Sequence, residues 1–384
     1  MKKRILIDAT TVTFQVDGLS NYIINLIKHL PEESFNYFEY TVLLNPNINR
    51  AELTDHLRQG NFRVIERKIA PIGPQRDWDM FWFLRKHEKN YDLVHITSSN
   101  FPVSLRKGVC TIHDLTFRKY FDNPKYTFNL ATKYMNWVVR NCMKYAKAVI
   151  AVSQSTKNEL LSGYHLDVAA KDKIQVIYEG WEHLIHYNKN EENPCEGDLM
   201  VKDNYLFYLG TSRKHKNLSN LLSAFKLAMP HIPANKKLAI SGSDKYINNM
   251  DLSLISEINK TGKRIFFTGY LSNACVEAYF KNADAYIFPS LSEGFGIPVL
   301  EAFYYEKPVL CSDTTSLPEV AGDAALYFDP HDPQSIADTI IKFYNNPPDK
   351  TLMINKAREQ LSKFSWIKAA EETIAVYKNC LGIS

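Results

Sequence analysis

Residues 285–302 have the sequence AYIFPSLSEGFGIPVLEA, which contains in order a strand, a loop and the start of a helix. The run Ala285–Phe288 is continuously apolar, as is typical of a strand buried on both faces of a parallel sheet. The loop carries two glycines, and Pro298 suits a first helical position. Such a corner brings glycine backbone and the unpaired N–H groups of a helix N-terminus close to a ligand, which favours an anion.

Two acidic residues of this segment, Glu293 and Glu301, are candidates for binding hydroxyl groups. We expect Glu293 on the loop above the strand end and Glu301 in the first turn of the helix, so that both carboxylates face one small site. Each could accept hydrogen bonds from the paired hydroxyls of a sugar or ribose. The spacing also fits a structural corner in which Glu301 stabilises the N-terminus of its own helix, and both interpretations stay open.

Apolar or β-branched runs alternate with helix-length amphipathic segments along the whole chain, which predicts βαβ units. The predicted strands of the first half are Arg4–Asp8, Tyr40–Leu44, Phe62–Ile65, Leu93–Ile96, Val109–His113, Ala148–Val152 and Ile174–Tyr178. Those of the second half are Tyr205–Leu209, Lys237–Ser241, Arg264–Thr268, Ala285–Phe288, Pro308–Ser312 and Ala325–Phe328. Because 384 residues exceed one ordinary core, we expect two doubly wound α/β domains with a ligand at the carboxyl ends of their strands.

The predicted boundary between these domains is the polar, strand-free stretch 188–203. We therefore predict an N-terminal Rossmann-like domain over 1–187, a linker over 188–203 and a C-terminal Rossmann-like domain over 204–364. The remaining residues, 365–384, are predicted to form a helix because one face of the pattern is apolar.

Charge is distributed unevenly along the chain, although its net value is only +4. Residues 1–190 hold 26 Lys/Arg and 19 Asp/Glu, giving +7, and the remaining 20 and 23 give −3. A basic N-terminal half suggests an anionic partner there, such as a phosphorylated acceptor or a membrane surface.

The opening residues do not predict a signal peptide, since the apolar run Ile5–Ile7 ends at Asp8 and fits a first strand. No stretch approaches the roughly 20 apolar residues that a spanning helix needs. The scattered cysteines show no metal-like spacing, which argues against a structural zinc. We expect a cytoplasmic protein, with peripheral attachment at the inner face of the membrane as a further hypothesis.

The region 101–158 is basic and aromatic, with ten Lys/Arg against two acids. Within it, Tyr126–Lys147 is predicted to be an amphipathic helix with cations on its polar side. This composition suits anionic lipid headgroups, although a solvated helix packed on its sheet fits equally. Nucleic acid is not expected as a partner, because no base-binding module is visible.

A metal site is not predicted. Asp77-Trp78-Asp79 is formally an Asp-x-Asp triplet, a pair of carboxylates that could hold Mn²⁺ or Mg²⁺. Here it follows a proline-rich stretch instead of a strand, so we interpret its acids as first-turn residues of a helix.

Several motifs together resemble family-4 retaining glycosyltransferases. The most specific is the Glu-x7-Glu pattern formed by Glu293 and Glu301 within PSLSEGFGIPVLEAF. The others are Thr111-Ile-His113-Asp114-Leu115, Ala151-Val-Ser153, Tyr208-Leu-Gly210 followed by Lys216-Asn217, Leu317-Pro-Glu-Val320 and Phe364-Ser-Trp366. The resemblance covers nearly the whole chain and implies a GT-B fold: two Rossmann-like domains, an interdomain cleft and a C-terminal crossover helix that packs back on the N-terminal domain.

The resemblance implies roles for residues of the second half. Glu301 would hold the ribose hydroxyls of a donor nucleotide, and Glu293 would bind hydroxyls of the donor sugar. The backbone that lines that sugar would be that of Gly294, Phe295, Gly296 and Ile297. Lys216 would bind the diphosphate, and a second cation would come from Arg213 or Lys214, since this chain has Thr211 and His215 where the family often places an arginine.

Three further assignments come from the same resemblance. Gly18 would bring backbone to the diphosphate, although many relatives have two adjacent glycines and this chain has one. His113, at the end of a predicted strand, would lie beside the donor sugar. Tyr270 follows a predicted strand at a position where relatives contact the base mainly through backbone.

The implied reaction is transfer of a hexose from a nucleotide diphosphate sugar, with retention at the anomeric carbon and no other cofactor. The departing phosphate would accept the proton of the incoming hydroxyl, through an oxocarbenium-like state. The chain is similar to bacterial mannosyltransferases of polysaccharide assembly, which favours GDP-mannose over a UDP-hexose and a glycan or lipid-linked acceptor. The alternatives are a sugar-nucleotide epimerase, a glycan phosphorylase and a non-catalytic partner subunit.

Overall fold

The computed structural model describes residues 1–13, 18–46, 48, 50–71, 73–102, 104–120, 130–164, 168–187, 204–210, 213–243, 245, 247–260 and 262–383. The chain divides into two compact units, each built around its own sheet. The first unit contains Met1–Gly180 and Ser365–Ser384, and the second contains Trp181–Phe364. The predicted linker over 188–203 lies outside the described residues.

The first unit contains a sheet of seven parallel strands. They are β1 (Lys3–Asp8), β2 (Phe38–Leu44), β3 (Phe62–Glu66), β4 (Leu93–Ile96), β5 (Gly108–Ile112), β6 (Ala148–Ala151) and β7 (Ile174–Val176). Their order is β3-β2-β1-β4-β5-β6-β7. The strands β4, β5 and β6 are buried along their whole length, and their sequences are apolar except for His95 in β4 and Thr111 in β5.

The second unit contains a sheet of six parallel strands. They are β8 (Tyr205–Tyr208), β9 (Lys237–Ile240), β10 (Ile265–Phe267), β11 (Ala285–Phe288), β12 (Val309–Ser312) and β13 (Ala325–Phe328). Their order is β10-β9-β8-β11-β12-β13. Strands β8, β11 and β12 are completely buried and separate two layers of helices.

Amphipathic helices connect these strands. Those of the first unit are α1 (Gly18–Lys28), α2 (Ala51–Gln59), α3 (Pro74–His87), α4 (Thr116–Tyr120), α5 (Leu130–Tyr145), α6 (Gln154–Gly163) and α7 (Val168–Asp172). Those of the second unit are α8 (Leu184–Tyr187), α9 (Leu218–Ala228), α10 (Asn249–Asn259), α11 (Asn273–Asn282), α12 (Ile297–Tyr304), α13 (Leu317–Ala321), α14 (Pro333–Asn345) and α15 (Lys350–Leu361). The last helix, α16 (Trp366–Leu381), belongs to the first unit.

Helix α16 is fixed to the first unit by its aromatic residues. Trp366 is fully buried and its ring packs against that of Tyr22 in α1, with centroids 5.9 Å apart. The Tyr377 hydroxyl lies 2.6 Å from Nδ1 of His95 in β4. The apolar face predicted for this helix is therefore the face that packs on the sheet and on α1.

Strand order reverses once in each sheet, between β1 and β4 in the first and between β8 and β11 in the second. In open parallel sheets, ligands bind outside the carboxyl ends of the strands at such a reversal. The loops that follow β8 and β11 are those that carry Lys216 and Glu293. Topology therefore places the candidate residues of the second unit where a ligand site is expected.

The predicted α/β fold with two Rossmann-like parallel sheets is confirmed, and all thirteen predicted strands are present. Boundaries differ by one or two residues. His113 follows β5 instead of ending it, because the ladder with β6 stops at Ile112. Of the helix predicted over Tyr126–Lys147, the structure describes α5, and residues 121–129 lie outside its described part.

Candidate functional site

Hydrogen bonds join the loop after β8 to the loop after β11. The Leu291 N–H donates to the His215 carbonyl at 2.7 Å. Asn217 is buried in a left-handed conformation with φ of 60°, and its Nδ2 donates to the Pro289 carbonyl at 3.0 Å and the Pro330 carbonyl at 2.7 Å. Asn tolerates that conformation better than most residues. These contacts fix the position from which the Lys216 side chain extends.

Lys216 and Glu293 form an ion pair across these two loops. Lys216 Nζ lies 2.6 Å from Glu293 Oε1 and 5.3 Å from the centroid of the Phe288 ring. Both side chains are mostly buried, with 19% and 14% of their surfaces exposed. A lysine has three N–H donors, so Glu293 occupies one and two remain for oxygens of a ligand.

Residues that follow β12 hold the backbone of Glu293. Its N–H donates to Oγ1 of Thr315 at 3.1 Å. The buried hydroxyl of Ser316 lies 3.1 Å from the Glu293 carbonyl and 2.7 Å from that of Phe295. The sequence analysis did not identify Thr315 and Ser316 as part of the site. Their run of small hydroxyl residues after a buried strand was the available signal.

The side chains of the glycine loop, residues 294–297, pack inside the second unit. Phe295 and Ile297 are buried, and the Phe295 ring packs against that of Phe364 at 5.4 Å. Gly296 has φ of 114°, and a Cβ there would lie 2.8 Å from Leu317 Cδ2. Only glycine fits this position, which immediately precedes α12.

Glu301 lies deeper in its helix than predicted. Helix α12 begins at Ile297, so Glu301 is in the second turn and the prediction of a first-turn position is wrong. The helix begins one residue earlier than predicted, so Pro298 is its second residue and not its first. The macrodipole acts mainly on the first turn, so the structural interpretation of Glu301 as a stabiliser of its own helix N-terminus loses its basis.

A segment near the start of the second unit packs along α12 beside Glu301. His183 Nε2 lies 3.7 Å from Glu301 Oε1, and the Trp181 ring packs against that of Tyr304 at 5.3 Å. Glu301 and Tyr304 are three residues apart and share a helix face. His183 could not be predicted as a neighbour of Glu301, because nothing in a single sequence links the two positions.

The carboxylates of Glu293 and Glu301 both raise the pKa of one buried phenol, that of Tyr286. Burial, the charge of Glu301 and the charge of Glu293 raise the pKa of Tyr286, in β11, well above its ordinary value. Tyr286 therefore stays neutral, and its hydroxyl lies 3.4 Å from the Leu209 carbonyl. The structure thus brings Glu293 and Glu301 to one end of the sheet.

Three other predicted residues of the second unit are exposed. Arg213 and Lys214 lie on the surface of the loop before Lys216, and neither forms an ion pair with any residue in the described part of the chain. The Tyr270 side chain is 78% exposed after β10. Their assignment to a donor site remains a prediction.

In the first unit, His113 lies between two acceptors. Its Nδ1 is 3.2 Å from Glu179 Oε1 and its Nε2 is 3.1 Å from the Thr97 carbonyl. Gly18 is the first residue of α1, and a Cβ there would meet no atom within 4 Å. Sequence reasoning named His113 and missed Glu179.

The acids of the Asp-x-Asp triplet are engaged within the first unit. Asp77 accepts a hydrogen bond from the Tyr134 hydroxyl, and Asp79 accepts from the Ala70 N–H at 3.0 Å and from Gln75 Nε2 at 2.8 Å. Asp77 lies in the first turn of α3 and Asp79 in the second. Across the described residues, no group of three or more His, Cys, Asp or Glu could hold a metal ion.

Two family models match the chain, one to each half. The first, glycosyltransferase family 4, matches residues 16–182, and the second, glycosyl transferases group 1, matches residues 189–360. Together they cover most of the sequence and every strand except β1. The chain is a glycosyltransferase. The predicted family, glycosyltransferase family 4, and the predicted enzyme class, a glycosyltransferase, are confirmed.

Bacterial mannosyltransferases are among the proteins similar to this chain. The glycosyltransferase is 25% identical over 396 residues to O-antigen chain mannosyltransferase B of Escherichia coli, covering 98% of this chain and 99% of the relative. It is 27% identical over 321 residues to the serotype-specific mannosyltransferase WbdA of the same species. That match covers 82% of this chain and only 38% of the longer relative.

Solved structures share the fold. The Anabaena protein HepE, crystallised with UDP and glucose, superposes with a TM-score of 0.70 at 16% identity and covers 98% of this chain and 100% of its own. This similarity places the glycosyltransferase among GT-B folds. Within its described residues, no helix is both long and apolar enough to cross a membrane.

Proposed function

We propose that this glycosyltransferase transfers a hexose from a nucleotide diphosphate sugar to a glycan or lipid-linked acceptor, with retention and without a metal ion. The observation that carries the proposal is the Lys216–Glu293 ion pair at the reversal of strand order in the second sheet. GDP-mannose is the favoured donor, because a mannosyltransferase is similar to this chain over nearly its whole length. A UDP-hexose is the alternative.

Lys216 has the geometry of a diphosphate ligand. Its Nζ donates a hydrogen bond to the Glu293 carboxylate and lies over the Phe288 ring. Departure of the nucleoside diphosphate builds negative charge, and a cation already in place stabilises that charge without reorganisation. Removing one such donor typically costs about 10²–10³ in rate. Arg213 or Lys214 would supply the second cation.

The two carboxylates would bind hydroxyls at opposite ends of the donor. Glu293 would accept hydrogen bonds from the sugar, beside the backbone of residues 294–297. Glu301 would accept them from the ribose, and Gly18, His113 and Tyr270 keep the roles that the resemblance gives them. Metal ions are not needed, because Lys216 with a second cation offsets the diphosphate charge.

The test is a donor panel with matched variants. Purified protein is incubated with GDP-mannose and UDP-hexoses in the presence of a chelator, and nucleoside diphosphate release and product anomer are measured. Lys216→Ala and Glu293→Gln should each lower kcat/KM by at least about tenfold, corresponding to roughly 1.4 kcal/mol. Lys226→Ala and Glu257→Gln, which remove an exposed ion pair of the same unit, should leave it unchanged.

Other outcomes favour other activities. Epimerised nucleotide sugar without transfer supports the epimerase alternative, and phosphate-dependent glycan cleavage supports the phosphorylase. Wild-type rates in both site variants, or loss of activity on chelation, contradict the proposal.

We also propose that the acceptor is reached at an anionic membrane surface. Exposed residues of α5 form one stripe, Leu130, Lys133, Trp137, Arg140 and Lys144. Helix α3 adds Trp78 and Trp82, and the Tyr134–Asp77 hydrogen bond joins the two helices. The three tryptophans are 60%, 46% and 48% exposed, which is unusual for such large apolar side chains.

This helix pair has the chemistry of a membrane interface. Tryptophan favours the headgroup level, and each cation near an anionic surface contributes about 1 kcal/mol. Two cations of the 101–158 region outside this stripe contact other side chains. Lys119 pairs with Glu159, and Arg106 lies 4.0 Å from the Tyr145 ring centroid.

Vesicle flotation tests the surface. Wild-type protein should bind vesicles with anionic phospholipid and not neutral ones. Replacing Trp78, Trp82 and Trp137 by Ser, or Lys133, Arg140 and Lys144 by Gln, should each abolish that binding. A control with Gln at the exposed Lys171, Lys260 and Lys350 should keep it. Binding that is the same for neutral and anionic vesicles, and that persists in both sets of variants, would contradict the proposal that this surface binds the membrane.

A further inference from the structure

His113 and Glu179 form a hydrogen-bonded pair within the first unit. His113 follows β5 and Glu179 follows β7, so both lie at the carboxyl edge of the sheet. The distance from Nδ1 to Glu179 Oε1 is 3.2 Å. The Glu179 side chain is 5% exposed and that of His113 is 18% exposed, so the pair is largely shielded from water.

The two partners of the imidazole ring decide its protonation. A carboxylate and a backbone carbonyl can only accept hydrogen bonds. Since Glu179 faces Nδ1 and the Thr97 carbonyl faces Nε2, both ring nitrogens must donate, which only the imidazolium can do.

Electrostatics agrees with this geometry. Burial alone would lower the pKa of His113, but the hydrogen bond and charge of Glu179, the Thr97 carbonyl and the charge of Asp114 together raise it. Asp114 is engaged by the Thr116 N–H at 2.8 Å, so Glu179 is the anion hydrogen-bonded to the ring.

The other titratable neighbours are neutral. His95 lies between the Tyr377 and Thr111 hydroxyls, and burial together with the charge of His113 lowers its pKa to about 3. Tyr22 packs edge-on against the His113 ring at 4.6 Å, and burial raises the pKa of its phenol.

We propose that Glu179 is a positioning residue that keeps His113 an oriented imidazolium beside the transferred sugar. This inference rests on the proposed function, which places His113 there. Both N–H groups of His113 are engaged, so it contributes fixed positive charge and does not carry a proton to or from the substrate. That charge favours departure of the diphosphate.

The sign of the pH dependence follows. A raised pKa keeps the imidazolium present to a higher pH than in a free histidine, and its contribution is lost as pH rises through that pKa. Glu179→Gln keeps an oxygen acceptor for Nδ1 but removes the charge, so the pKa of His113 should fall. The activity of this variant should drop about tenfold for each pH unit above its new pKa and recover in acid.

The experiment has two independent readouts. Imidazole NMR titration of the free enzyme, with the His113 signal assigned by its loss in His113→Gln, should show the pKa falling by at least about one unit in Glu179→Gln. The pH above which kcat/KM falls should be lower in the same variant than in the wild type, and should largely return to the wild-type value in Glu179→Asp. Glu159→Gln, which removes the partner of the exposed Lys119, serves as the control and should change neither.

The outcomes separate the inference from the function. An unchanged His113 pKa in Glu179→Gln overturns the inference even if transfer activity is found. A lowered pKa with a pH profile parallel to that of the wild type overturns the catalytic use of the charge. Failure of every donor to react overturns the proposed function and leaves the NMR titration as the test of the pair.

Discussion

Gly296 combines a conformational and a steric requirement at one residue. Its φ is 114°, and an added Cβ would lie 2.8 Å from Leu317 Cδ2. Gly296→Ala should therefore destabilise the second unit by about 1–3 kcal/mol and weaken nucleotide binding, measured by urea unfolding and calorimetry. Gly242→Ala separates the two effects, because Gly242 has φ of 93° and open space around it. Equal losses in both variants would show that the contact with Leu317 is unimportant.

Replacing His183 tests whether its imidazole keeps the Glu301 carboxylate in position. Its Nε2 is 3.7 Å from Glu301 Oε1, and both side chains are largely buried. We expect His183→Ala to let the carboxylate move and to raise the donor KM by about tenfold with little change in kcat, since ribose is distant from the reacting bond. Steady-state kinetics with varied donor provides the measurement. A fall in kcat at constant KM would contradict this role.

At the scale of the elements, the strands could be predicted and the loop contacts could not. Buried parallel strands such as Ala285–Phe288 are continuously apolar, so their sequences identify them directly. The carboxyl ends of the strands then locate Glu293 and Lys216. Contacts such as His183–Glu301 and His113–Glu179 join residues far apart in sequence, and only the folded backbone brings them together.

Asn217 links the loop after β8 to the loops that contain Pro289 and Pro330, and this link can be tested by mutation. Its Nδ2 donates to two carbonyls, those of Pro289 and Pro330, and Asn217→Ala would leave both without that donor. We expect a loss of about 2–3 kcal/mol in unfolding free energy, and weaker nucleotide binding because the loop of Lys216 loosens. Asn220→Ala, which removes a single hydrogen bond to Pro330, should cost about 1 kcal/mol or less. Equal costs in the two variants would argue against a special role for Asn217.

The contact between α16 and β4, through Tyr377 and His95, should make the stability of the first unit depend on pH. The pKa of His95 is lowered to about 3, first by burial and then by the charge of His113. A lowered pKa means that stability is complete above the unfolded value near 6.5 and is lost as pH falls towards 3. The first unit should lose a few kcal/mol over this range, measured by urea unfolding. His95→Gln should flatten the dependence, and an equally steep dependence in that variant would contradict the assignment.

At the scale of the whole molecule, each sheet has its own core, and the chain contributes to the first unit twice. Residues after Phe364 pack with Met1–Gly180, so the first unit is completed only by the last helix. The second unit is continuous from Trp181 to Phe364. The two units should therefore respond differently to changes at the C-terminal helix.

Truncation after Phe364 tests this organisation. It removes seven buried residues of α16, among them Trp366 and Tyr377. A large buried side chain contributes about 1.5–3 kcal/mol, so their combined loss rivals the roughly 5–15 kcal/mol that stabilises a domain. The first unit should unfold and become sensitive to protease, while a fragment close to 181–364 resists digestion. Truncation after Leu381, which spares every buried residue of the helix, should leave both units intact. A truncated chain that retains protection across residues 18–120 would show that the first sheet is stable without α16, contrary to the packing of Trp366 against Tyr22.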